Sequence, residues 1–166
     1  KPTGFGATMT CYAYDDIEKW RSIYPEDVFE AQLYKLCRKW EKGLDLLPDV
    51  VHAESEMAQM AHGTYYLFRA SLNQFRFYRA RAIGDTQAMV ECAKQECETA
   101  KNMLTLMNKN AAIGYEAANH YYYSKGQLAE KILKTIWQST LQMTKEWVRM
   151  SFGANLPSQA LKVRVQ

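Results

Sequence analysis

Apolar side chains along this chain recur at steps of three and four, which is the signature of amphipathic helices rather than of strands. The first clear stripe is Phe29, Leu33, Leu36, Trp40, Leu44 and Leu47. Pro25 suits the first helical position, where its missing N–H costs nothing, and Glu26 and Asp27 favour the positive end of the helix dipole. Pro48 is expected to end this helix. A second stripe comprises Met57, Met60, Ala61, Thr64, Leu67, Phe68, Leu72, Phe75, Tyr78 and Ala82, on a helix predicted from about 49 to 83. Within it, Gly63 marks either a close helix crossing or a bend. Gly84-Asp85 is a clean break: glycine suits a left-handed C′ position and aspartate caps the next helix.

The third helix is predicted over 86–108, with Met89, Cys92, Ala93, Glu96, Ala100, Met103, Leu104 and Met107 on one face. Residues 109–123 read as an irregular, aromatic connection. Ser124-Lys-Gly-Gln127 then matches a capping box, in which the serine oxygen takes one free amide and the glutamine returns to another. Leu128, Ile132, Leu133, Ile136, Met143 and Trp147 continue as a fourth stripe. The fold class expected is therefore all-α, an antiparallel four-helix bundle. Residues 1–24 form a lead-in packing on it, with a helical turn around 15–21. Residues 25–153 are the bundle and 154–166 a tail, in which Val163-Arg-Val suits a short strand. No fixed internal repeat is visible, which disfavours a helical solenoid.

Composition narrows the partners. The chain has 166 residues, 48% of them apolar and 23% charged, so it can bury one core. No run is long and apolar enough for a membrane span. The net charge of +3, with no dense basic stripe, excludes nucleic acid as the expected partner. The four cysteines, at 11, 37, 92 and 97, have no zinc-like spacing. They read as buried small residues or, in a secreted chain, as one disulfide. Cys92 and Cys97 stand about 140° apart on a helix and cannot share a face. The chain begins with Lys1, which fits a mature or excised piece.

Chemistry is sparse. A di-metal bundle site needs Glu-x-x-His on two helices, and the chain has His52-x-x-x-Glu56 and Glu116-x-x-x-His120 instead. No metal or cofactor is expected. No nucleophile elbow, cysteine–histidine signature or phosphate loop is present either, so the domain by itself is not expected to be catalytic. Arg69, Arg76 and Arg79 stud the second helix around Asn73. They either grip an acidic group or bond carboxylates on neighbouring helices, Glu96 being a candidate, with their stems on Phe75 and Phe77. Trp20, Arg21, Tyr24 and Trp40 read as core or interdomain packing, or as an aromatic platform for a sugar. The segment from Ile113 to Ser124 gathers Glu116, Asn119, His120 and three consecutive tyrosines. Such a segment is either a sugar surface, with aromatics for ring faces and polar groups for hydroxyls, or a buried loop whose polar groups satisfy the backbone.

Two stretches carry a resemblance. Asp16-Ile-Glu-Lys-Trp-Arg-Ser-Ile-Tyr-Pro-Glu-Asp-Val-Phe-Glu30 with Trp40-Glu-Lys-Gly-Leu44 is one; Ile113-Gly-Tyr-Glu-Ala-Ala-Asn-His-Tyr-Tyr-Tyr123 with Leu128-Ala-Glu-Lys131 is the other. Together they resemble the C-terminal helical domain of bacterial glycoside-hydrolase-like proteins of Bacteroides and Clostridium type, related to the beta-N-acetylhexosaminidase superfamily. The likeness spans residues 16–133. Ile132-Leu-Lys-Thr-Ile-Trp137 departs from it, where an Asn-Cys type of continuation is expected. The resemblance implies a non-catalytic, secreted or periplasmic domain that packs on an upstream catalytic domain and supports or completes a glycan-binding cleft. It nominates Tyr115, Glu116, Asn119, His120 and Tyr121 as substrate-binding. The alternative is a free-standing helical protein-interaction module, which requires a contiguous exposed apolar patch.

Overall fold

The computed structural model describes residues 21, 23–47, 55–113, 115–116, 121–122, 125–126, 128–137 and 140. They form a helical bundle. Helix α1 is Glu26–Leu44, α2 is Glu56–Ile83 and α3 is Thr86–Lys109. Residues 128–137 are again helical and are called α4. A two-residue hairpin, β1 (Tyr115–Glu116) with β2 (Tyr121–Tyr122), interrupts the helices. The expected lead-in and its turn at 15–21, apart from Arg21, Ile23 and Tyr24, lie outside the described residues. So do the capping box residues Ser124 and Gln127, the positions Met143 and Trp147, and the tail with its strand.

The α2–α3 break is as its two residues dictate. Gly84 takes φ 74°, the left-handed region in which a side chain is strained. Its N–H bonds Arg81 O, and the Asp85 N–H bonds Ala80 O at 2.9 Å. The Asp85 carboxylate then accepts from the Ala88 amide at 2.9 Å, capping α3. A two-residue connection leaves α3 no choice but to fold back along α2.

Contacts between neighbouring helices run in opposite chain order. From α1 to α2, Glu30 meets Arg76 and Arg79, whereas Trp40 meets Ala61. From α2 to α3, Asn73 meets Glu96 and Thr99, whereas Gln59 meets Asn110. Helix α2 packs on both α1 and α3. This central position explains why its residues from 61 to 80 are all buried or half-buried.

The same position corrects several assignments. Met57 and Met60 are 80% and 61% exposed, and Ala82 is exposed, so these positions lie off the covered face of α2. Ala58, Gly63, Ala70, Ser71 and Asn73 are buried instead. On α1 the covered stripe narrows to Cys37 and Leu44, flanked by half-buried Phe29, Leu33 and Trp40, and Leu36 faces solvent. Pro25 stands one position earlier than expected, at the N-cap, and α1 ends at Leu44 rather than at Leu47. On α4, Leu128 is buried, but Leu133 and Ile136 are exposed. The 109–123 connection is not wholly irregular, since it holds the β1–β2 pair.

Gly63 marks a close approach. A Cβ there would stand 3.0 Å from Ile113 Cγ2 and 3.6 Å from Leu106 Cδ2. The absence of a side chain lets the segment leaving α3 settle directly on α2. There Ile113 joins Met103, Leu106, Met107 and Leu128 in a buried cluster, against which Tyr66, Leu67 and Leu104 pack.

Candidate functional site

The nominated segment follows α3 in the chain. Ile113 before it and Leu128 after it are both buried in the same apolar cluster, so the intervening chain is pinned at each end. Asn110 strengthens the near anchor: its carboxamide donates to Gln59 Oε1 and its oxygen accepts from the Ala112 amide, both at 3.0 Å. Between the anchors, Tyr115 pairs with Tyr122 and Glu116 with Tyr121 in antiparallel register. The structure thus brings together the backbones of Tyr115, Glu116 and Tyr121. Asn119 and His120 lie outside the described residues. The start of α2 lies beside the end of α3, where Gln59 meets Asn110, and Met57 and Met60 on it are exposed.

The bundle interior holds a polar cluster that the sequence does not single out as a unit. Asn73 is 1% exposed and donates to Glu96 Oε2 at 3.1 Å and to Thr99 Oγ1 at 3.3 Å. Lys131, from α4, completes it with Nζ 2.5 Å from Glu96 Oε1. Thr99 in turn donates to Gln95 O at 2.8 Å. Asn73 Oδ1 has no hydrogen-bond partner among the described residues. The available signal is Glu96 standing within the apolar stripe of its helix. A carboxylate at such a place demands a buried partner.

Glu96 is therefore not the partner of the arginines. Arg76 Nε bonds Glu30 Oε1 at 2.9 Å, Arg79 Nη1 bonds Glu30 Oε2, and Arg79 Nε stands 3.5 Å from Glu26. Both carboxylates come from the first turns of α1, where they also suit the helix dipole. The Arg76 guanidinium lies 5.2 Å over the ring of Tyr34. These contacts tie α1 to α2 and use the acidic side chains that face the arginines.

Trp40 is a packing residue. Its indole N–H donates to Ala61 O at 2.9 Å and its ring meets Phe68 edge-on at 5.2 Å. Beside it, Tyr65 donates to Glu41 Oε1 at 3.0 Å. Desolvation first, and then this bond to Glu41, push the Tyr65 hydroxyl up to about 12. A phenol whose folded pKa exceeds its unfolded value of 10 stabilises the fold below pH 10, and that contribution is lost as pH rises from 10 to 12. Tyr65→Phe should accordingly flatten the fall in melting temperature over this window relative to the parent. Equal slopes for the two proteins would rule out the contribution.

No family model matches the chain, and neither a curated protein nor a solved structure matches it.

The remaining candidates are quickly placed. Cys37, Cys92 and Cys97 are free and buried, so the disulfide reading has no support among the described cysteines; Cys11 lies outside them. Burial pushes the Cys37 and Cys92 thiols up, against the opposing pull of Arg76 near both. Cys92 and Cys97 do occupy different faces of α3, and both are buried because α3 is covered on two sides. Cys97 lines a shallow cavity of about 220 Å³ with Lys94, Glu98, Lys101, Ile136 and Thr140. Among the described residues, no group of three or more His, Cys, Asp and Glu side chains could hold a metal ion. No described helix is long and apolar enough to cross a membrane.

Proposed function

We propose that the chain is a non-catalytic helical module of a carbohydrate-active bacterial protein, whose 113–124 segment supports or completes the glycan-binding cleft of a neighbouring catalytic domain. One observation carries the reading. Ile113 and Leu128, which flank this tyrosine-rich segment, are buried in one apolar cluster, and Tyr115–Glu116 pairs with Tyr121–Tyr122 between them. Among the described residues, Glu26 and Glu30 are engaged with arginines, Glu41 with Tyr65, and Glu96 with Lys131. The resemblance over residues 16–133 supplies the class of partner. Aromatic rings for the apolar faces of a pyranose, with Glu116, Asn119 and His120 for its hydroxyls, supply the chemistry.

The test is an oligosaccharide array probed with the purified chain, followed by calorimetric titration of the strongest-binding glycan. Saturable binding is expected, weakened about tenfold by His120→Ala at an unchanged melting temperature, as for the loss of one well-formed hydrogen bond. Failure of the parent chain to bind any glycan on the array would sink the reading. So would a loss of binding that only accompanies loss of folding.

A second reading, a helical protein-interaction module, draws on α4. Leu133, Ile136 and Trp137 are 68%, 45% and 55% exposed at helical spacing, an apolar stripe of the kind that marks a docking face. It is favoured if the array is silent.

A further inference from the structure

We draw no further inference here: the strongest candidate, the exposed apolar stripe of Leu133, Ile136 and Trp137 on α4 beside the shallow cavity that Ile136 lines with Lys94, Glu98 and Lys101 of α3, carries nothing because nothing in the structure shows what covers it and the mixed charges at its rim select no partner.

Discussion

Replacing Lys131 by methionine is expected to cost about 3 kcal/mol of folding stability, because it strands a buried carboxylate. Glu96 Oε1 stands 2.5 Å from Lys131 Nζ, and the two side chains are only 11% and 21% exposed. Removing the ammonium leaves Glu96 with the amide of Asn73, in surroundings where water cannot easily replace the lost charge. Adding Glu96→Gln to Lys131→Met should restore more than half of the loss. A neutral amide at 96 has no charge to strand, and it can still accept from Asn73. The measurement is a double-mutant cycle by equilibrium urea unfolding. If Lys131→Met alone leaves stability unchanged, the pair contributes nothing and α4 is held by Leu128 and its neighbours.

Phe75→Ala should have the larger effect, a loss of about 3–5 kcal/mol. Phe75 is 1% exposed, and its ring lies 5.0 Å from that of Phe29 at an angle of 57°. It stands at the α1–α2 seam, one residue from Arg76, so the cavity left by alanine opens between two helices that the Arg76–Glu30 pair holds in register. A backbone fixed by that pair cannot collapse freely into the space, which places the cost toward the upper end of the range. Domains are typically stable by only about 5–15 kcal/mol, so the variant should sit near the unfolding threshold. The check is the midpoint of urea unfolding at unchanged slope. Phe77→Ala, at a half-buried neighbour, is the control. Equal losses at 75 and 77 would show that the seam is not the site of tight packing.

Features of the fold are legible in the sequence where their cause is local. The Gly84-Asp85 break needs only a left-handed glycine and a capping carboxylate, and both are in place. The α3 stripe of Met89, Cys92, Ala93, Glu96, Ala100, Met103 and Met107 is buried, with Leu104 half-buried beside it. Its period reports its own burial, because α3 is covered by α2 on one side and α4 on another. The failures share a different cause. Met57 and Met60 fit the α2 stripe by spacing, yet they are exposed while Ala58 in the same turn is buried. Periodicity gives the spacing of a stripe around an axis but not which flank of it a neighbour covers. Leu36, Leu133 and Ile136 depart from expectation for a related reason: the width of the covered stripe depends on how many helices lie against it.

The candidate site shows the same division. Residue type alone nominates Glu116 and Tyr121, and it nominates Tyr115 equally. That position 115 pairs with 122, and 116 with 121, follows from the hairpin register, which neither composition nor spacing of the segment contains. Asn73, Thr99 and Lys131 do not assemble from the sequence, because the carboxylate at their centre, Glu96, gathers them from separate helices.

The sequence by itself determined which stretches are helical, where α2 yields to α3, and that Glu96 and the arginines each require a counter-charge. These follow from local propensity, capping and the cost of an unpaired charge. Only the tertiary structure decided the pairing. Arg76 and Arg79 reach Glu30 across 46 and 49 positions of sequence, and Glu96 takes Lys131 instead. Which carboxylate meets which cation depends on the rotation and axial offset of one helix against another. That offset is set by the summed packing of the whole seam, so no local pattern of residues encodes it.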